Sequence, residues 1–161
     1  MKKTLIILLG CLSMLVITSC KQKVVVNDTR TFADKNWVRF TQETFDVNIA
    51  DVDECYDIYL SAVIDTALYR QAGLPIIVSI THNDGETRQF RTDLALKNAQ
   101  GQWQGEFKDG LLNYTKCIRP YFFFNSNGKY TIALSQCSHR YDLYGVVSVT
   151  LHIERAEIKM K

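Results

Sequence analysis

Tyr56, Ile58, Leu60, Ala62 and Ile64 stand at every second position of one short run, and that spacing constrains the fold more than any other feature. A helix would scatter these side chains around its circumference, whereas a strand lines them up on one face. The run therefore reads as a half-buried strand, and other segments repeat its design. Tyr130, Ile132 and Leu134 point one way within Lys129–Cys137, as do Val147, Val149, Leu151 and Ile153 within Tyr144–Glu154. Pro75 opens Ile76 to Thr81, which is dominated by β-branched residues, and Asn83-Asp84-Gly85 closes it. Asp-Gly between apolar strands signals a hairpin, because it supplies the positive φ angles of a tight primed turn. Glu86 to Lys97 is then the returning strand.

Further strands follow from composition and turn chemistry. Trp37 to Val47 mixes aromatic and β-branched residues with polar ones. In Gly101-Gln-Trp103-Gln-Gly105, Gly101 makes a turn, Gly105 lets a neighbouring chain approach, and the indole plugs the core. Successive side chains of Tyr121-Phe122-Phe123-Phe124 face opposite ways. Two of the four must leave the core, toward a second layer, a partner or the membrane. Asn125-Ser126-Asn127-Gly128 turns the chain back. Past the first twenty residues no segment keeps a helical period. Seven or eight regularly spaced strands predict an all-β fold, an antiparallel β-sandwich, with closure into a barrel as the alternative.

The first twenty residues belong to targeting rather than to this fold. Lys2 and Lys3 precede an apolar stretch from Leu5 to Ile17, and Ile17-Thr18-Ser19-Cys20 sets small residues before a cysteine. The stretch is shorter than the roughly 20 residues of a membrane span and fits a secretory signal. The cysteine makes it a lipoprotein signal over residues 1–19, with Cys20 carrying the lipid. Two or three acyl chains there suffice for stable membrane anchoring, where one is marginal. Residues 20–35 read as lipidated cysteine and polar tether, residues 36–157 as one β-sandwich domain, and Ile158 to Lys161 as a frayed tail.

Nineteen Lys and Arg face seventeen Asp and Glu. Lys2 and Lys3 leave with the signal, so the mature domain is neutral and offers no basic footprint for nucleic acid. Lys21-Gln22-Lys23 holds no acidic cluster of the kind that precedes surface export, which leans toward the periplasmic face. With Cys11 removed and Cys20 acylated, Cys55, Cys117 and Cys137 remain in an oxidising compartment. They are expected to be buried or to form one disulfide, whose pairing three thiols leave open.

Catalytic patterns are sparse. Asp51, Asp53, Glu54 and Asp57 cluster, but an EF-hand needs glycine sixth and an acid twelfth, and Tyr56 and Ala62 hold those places. These acids read as a solvated turn. His82, His139 and His152 are scattered, no nucleophile elbow is present, and no Cys/His spacing suggests zinc. No catalysis, cofactor or metal is expected. The aromatic residues are the most suggestive set, filling a core or stacking on sugars.

Taken in order, several segments resemble the GldH gliding-motility lipoprotein family of the Bacteroidota from Trp37 to Arg155. They are the lipid-bearing Cys20, Phe45-Asp-Val-Asn-Ile49, Tyr56-Asp-Ile-Tyr-Leu60, Arg91-Thr-Asp-Leu-Ala-Leu96 and Gly101-x-Trp103-x-Gly105. Gly128 to Gln136 follows, then Arg140, Leu143, Gly145 and Val149-x-Leu151-x-Ile153-Glu154. The chain departs from the family's Tyr-Pro-Tyr at Gly73-Leu74-Pro75 and from its Met-Arg at Cys137 to Arg140. The resemblance implies an outer-membrane lipoprotein of gliding and of the secretion system that shares its machinery, acting through contacts with envelope proteins. Trp37, Trp103, Arg140, Tyr141 and Tyr144 form the candidate interaction surface. The alternative is a glycan- or ligand-binding lipoprotein of a nutrient-uptake system, which requires an open platform at Trp37 or Trp103.

Overall fold

The alternation of Tyr56–Ile64 reappears as burial. In a computed structural model, which describes residues 23–157, the five apolar side chains of this run are at most 1% exposed and their neighbours half-buried. The strands are β1 (Val24–Thr31), β2 (Asn36–Val38), β3 (Glu43–Ile49), β4 (Tyr56–Ile64), β5 (Gly73–His82) and β6 (Thr87–Ala95). β7 (Glu106–Lys108), β8 (Leu111–Phe122), β9 (Gly128–Gln136), β10 (Asp142–Tyr144) and β11 (Val146–Arg155) complete them. Five strands in the order β1-β11-β4-β8-β7 form one sheet, and β3-β9-β5-β6 form the other. β2 and β10 pair as a small ribbon, and every pairing is antiparallel.

The fold class is the expected all-β sandwich, with eleven strands instead of seven or eight. Arg39–Gln42 splits the expected Trp37–Val47 strand into β2 and β3. β2, β7 and β10 have three residues each, too few to display a period. β1 corrects the tether reading of residues 20–35: it pairs with β11 from Val24↔Glu154 to Thr31↔Ser148. The sheet therefore begins at Val24. Its pattern was hidden because half-buried positions of this edge strand hold Asp28 and Arg30, joined at 2.7 Å. The Arg30 guanidinium lies 4.4 Å from the Phe45 ring centroid and donates to the Thr44 carbonyl at 2.6 Å. Charged residues on an edge strand discourage pairing with other chains.

One core joins the two sheets. Phe45, Val47 and Ile49 of β3, Ile76, Val78 and Ile80 of β5 and Ile132 and Leu134 of β9 belong to one cluster with the inward residues of β4 and β11. Burying each such side chain stabilises the fold by about 1.5–3 kcal/mol. Tyr121 and Phe123 are exposed, Phe122 is half-buried and Phe124 buried, so two rings of the four do leave the core. The hairpin after β5 has positive φ at Gly85 and not at Asp84. Gly85 N–H donates to the His82 carbonyl at 2.9 Å and His82 N–H to that of Glu86 at 2.8 Å. A three-residue loop with a left-handed glycine thus replaces the expected primed turn.

Register defines two ends. Val24↔Glu154, Arg155↔Tyr56 and Tyr56↔Phe122 place the start of β1, the start of β4 and the end of β8 together. This is the tether end, shared by loop 50–55 and hairpin 83–85. The far end holds loops 32–42, 65–72 and 137–145. Cys20, the signal and the tail from Ile158 lie outside the described residues.

Candidate functional site

The far end is built around a buried tryptophan. Trp37 pairs with Leu143 in the β2–β10 ribbon and stacks on Phe32, with centroids 4.9 Å apart and planes 23° from parallel. It is 0% exposed, so Trp37 is a core residue, which corrects its place in the expected interaction surface. Alternation then leaves Tyr144 turned to solvent. β2 and β10 also continue past their ends, since Arg39 N–H donates to the Tyr141 carbonyl at 2.7 Å.

Two buried polar side chains set the loop from Cys137 to Tyr141. Gln136, 2% exposed, donates from Nε2 to the carbonyls of Arg140 and Tyr141 at 3.3 and 3.2 Å. Its Oε1 accepts the Ser138 N–H at 2.9 Å. Ser138 Oγ accepts the Arg140 N–H at 3.0 Å and is itself buried. Buried amides and hydroxyls normally need such partners, and here the loop's own backbone supplies them. The loop is held from below while Arg140 and Tyr141 stay exposed.

Gly145 locks this assembly to loop 65–72. Its N–H donates to the Lys35 carbonyl at 2.7 Å and its carbonyl accepts the Asp65 N–H at 2.8 Å. Lys35 Nζ lies 2.7 Å from Asp65 Oδ2 and holds that carboxyl below the usual carboxylate range. Tyr69 is buried below and donates from its hydroxyl to the Gly73 carbonyl at 2.8 Å.

Four large apolar side chains stand out from this frame: Phe40 at 76% exposure, Tyr141 at 61%, Tyr144 at 55% and Leu68 at 47%. Phe40 and Tyr141 meet edge to face at 6.5 Å, and the Arg39 guanidinium lies 5.0 Å from the Phe40 ring centroid. Arg70 and Arg140 line the adjoining groove with Leu68 and Tyr144. Phe40 sits at φ 73°, third in the Val38–Thr41 turn, where glycine or asparagine is usual. A large residue in this region is strained and exposed at once, a combination found at binding and switch sites.

Of the residues singled out from sequence, Arg140, Tyr141 and Tyr144 share this end. Trp103 is at the same end, where Lys97 N–H donates to the Ala72 carbonyl, but it does not line that groove. It lies in the 96–105 loop, paired with Lys97, half-buried against the core and with the Lys97 ammonium 4.1 Å from its ring centroid. Trp37 is thus no part of an open aromatic platform, while Trp103 stays half-buried. Gly101 and Gly105 have the expected roles: φ is +77° at Gly101, and a Cβ on Gly105 would fall 2.3 Å from the Asn113 carbonyl oxygen. Phe40, Leu68, Arg39 and Arg70 escaped sequence reading. A phenylalanine in a turn without glycine or proline carries no signal that distinguishes it from a strand residue.

Cys55 is buried, Cys117 and Cys137 are half-buried, and all three are free thiols. Burial pushes the Cys117 thiol up, the opposite of an activated nucleophile. Asp51, Asp53 and Glu54 lie in the loop between β3 and β4, where Asp51 Oδ1 accepts the Asp53 N–H at 3.1 Å. Among the described residues no three His, Cys, Asp or Glu side chains are grouped as metal ligands.

The model of the GldH lipoprotein family matches residues 24–153. The chain belongs to the GldH lipoprotein family. The match opens at the first residue of β1, in agreement with the sheet boundary. None of the curated proteins compared with this GldH-family chain matches it. The solved enzymatically active domain of Bacteriophage CBA120 tailspike protein 4 aligns at a TM-score of 0.31 and 9% identity. That alignment covers 84% of this chain and 18% of the tailspike chain, a likeness too distant to bear on activity.

A pH-sensitive contact lies at the other end of this GldH-family domain. The His82 ring, 10% exposed, lies 4.7 Å from that of Tyr130, with Nδ1 2.9 Å from Asp84 Oδ2 and Nε2 3.3 Å from the Asn127 carbonyl. The Asp84 carboxylate raises the imidazole above its ordinary value, partial burial opposes it, and the Asn127 carbonyl adds to it. A folded value above the unfolded one gives stability that is complete below about pH 6.5 and lost as pH rises through the folded value. His82→Gln should therefore cost more in urea unfolding at pH 5.5 than at pH 8.5. An equal or reversed difference would count against the ion pair.

Proposed function

We propose that this chain is a non-enzymatic accessory lipoprotein of the gliding-motility and associated protein-secretion machinery. It is anchored by Cys20 in the outer membrane, faces the periplasm and acts through contacts with envelope proteins. One observation carries the reading: Phe40, Tyr141 and Tyr144 are exposed beside arginines, and buried Gln136 and Ser138 fix the Arg140–Tyr141 backbone among them. Tyrosine and arginine are favoured anchors of protein interfaces. Loops already held in one conformation lose little freedom on binding, which favours affinity. Family membership supports the lipoprotein class, and the absence of acids in Lys21-Gln22-Lys23 supports the periplasmic face.

Deletion of the gene is expected to impair secretion or surface spreading, with recovery on return of the intact chain. Cys20→Ala should release the protein to the soluble fraction and fail to restore function. An unchanged secretome and normal spreading in the deletion strain would overturn the proposal, and a membrane-retained Cys20→Ala protein would overturn the anchor.

A further inference from the structure

A lipid on Cys20 fixes where the domain meets the bilayer. From Cys20 to Val24 the backbone spans at most about 14 Å when fully extended. The tether end of the sandwich is thus the end that faces the membrane, and loops 32–42 and 137–145 face away from it.

Two aromatic side chains stand exposed at that tether end, Tyr121 at 57% and Phe123 at 53%. They lie beside the end of β8, three strands across from β1 in the order β1-β11-β4-β8. At the usual strand spacing that offset is about 14 Å. Both sit on fixed backbone. Tyr121 has φ 51° and its N–H donates to Asp57 Oδ1 at 2.9 Å, while the Phe123 carbonyl accepts from Arg88 at 3.3 Å. Phe122 and Phe124 beneath them meet edge to face at 4.9 Å, so the exposed rings rest on an aromatic floor.

We propose that Tyr121 and Phe123 seat on a zwitterionic phospholipid surface and hold the sandwich upright over its anchor; this rests on the lipidation of Cys20. Tyrosine and phenylalanine rings gain from leaving water at the headgroup level, where a phenol keeps its hydroxyl wet. Charge selects the kind of lipid. Among the described residues, eight acids at this end, Asp51, Asp53, Glu54, Asp57, Asp84, Glu86, Glu154 and Glu157, outnumber the five bases Lys23, Arg88, Arg119, Lys129 and Arg155, and an anionic surface would repel them. The ten residues of β11 span the sandwich, from Val146 at the far end to Arg155 at the tether end. At strand rise that run lifts the Phe40–Tyr144 patch about 30 Å from the bilayer. A lipid alone would leave the domain free to swing, whereas two ring contacts give the patch a direction.

Hydroxyl-radical footprinting of the lipidated chain on phosphatidylcholine vesicles tests this, with the Cys20→Ala chain and the same vesicles as reference. Oxidation of Tyr121 and Phe123 should fall at least about fivefold on anchoring, because a ring removed from water loses most of its reactive surface. Phe40 and Tyr141 should be oxidised as in the reference. Equal oxidation of Tyr121 and Phe123, or protection of Phe40 and Tyr141 instead, overturns the proposal where the Cys20 peptide carries its acyl mass. An unmodified Cys20 peptide overturns the anchor reading as well. Stronger protection on phosphatidylglycerol vesicles would overturn the zwitterionic assignment.

Discussion

Gly145→Ala is expected to destabilise the fold by about 3–5 kcal/mol. Gly145 has φ +95°, and a Cβ there would fall 2.5 Å from the Tyr69 nitrogen and 2.8 Å from the Asp65 carbonyl oxygen. Both obstacles are backbone atoms, so relief requires Gly145 itself to move out from between Lys35 and loop 65–72. That shift breaks the hydrogen bonds Gly145 makes to Lys35 and Asp65. The dihedral costs about 1–3 kcal/mol and each lost bond about 1 kcal/mol, a total of about 3–5 kcal/mol. A domain of this kind holds about 5–15 kcal/mol in all. Gly110→Ala supplies the contrast: φ is +78°, yet nothing lies within 4 Å of the added carbon. Its cost should stay near 1 kcal/mol. Urea unfolding followed by tryptophan fluorescence reads both, and equal losses would show that the Gly145 clamp does not hold the far end together.

Combined Phe40→Ser, Tyr141→Ala and Tyr144→Ala substitution should separate stability from function. The three side chains are more than half exposed, so their removal should change stability by no more than about 0.5 kcal/mol each. Phe40→Asn should even gain, because asparagine tolerates the left-handed backbone that strains phenylalanine. Partner capture should respond in the opposite way. An interface anchor is worth about 2 kcal/mol or more, about thirtyfold in affinity, so loss of all three abolishes detectable recovery from cells. Trp37→Ala is the informative comparison. Its ring is wholly buried, and truncation should cost about 3–5 kcal/mol by leaving a cavity.

The fold was legible where one face of a strand is buried and the other is not. β4 and β9 show that contrast where the period of two puts it, and β11 does from Val149 on; a register shift between Val146 and Ser148 puts Val146 in the core in place of the expected Val147. β1 was illegible because Asp28 and Arg30 occupy its half-buried positions and neutralise each other there. Trp37 illustrates a different failure. Its residue type marks a surface anchor or a core plug equally well, and only the pairing with Leu143 decides between them. Arg140, Tyr141 and Tyr144 were readable as a cluster because they are close in sequence. Phe40 and Leu68 join them through tertiary packing, for which local sequence carries no mark. The presenting device is equally silent: Gln136 and Ser138 look like surface residues until their bonds to the Arg140 and Tyr141 backbone are known.

The far end is proposed to dock on gliding or secretion components. A photo-cross-linking phenylalanine analogue in place of Tyr141, activated in intact cells, addresses it directly. Adducts with envelope proteins of the gliding and secretion machinery, absent when the analogue is placed at Thr131 on the outer face of β9, are the predicted result. Adducts with glycan importers, or none at all, would contradict it.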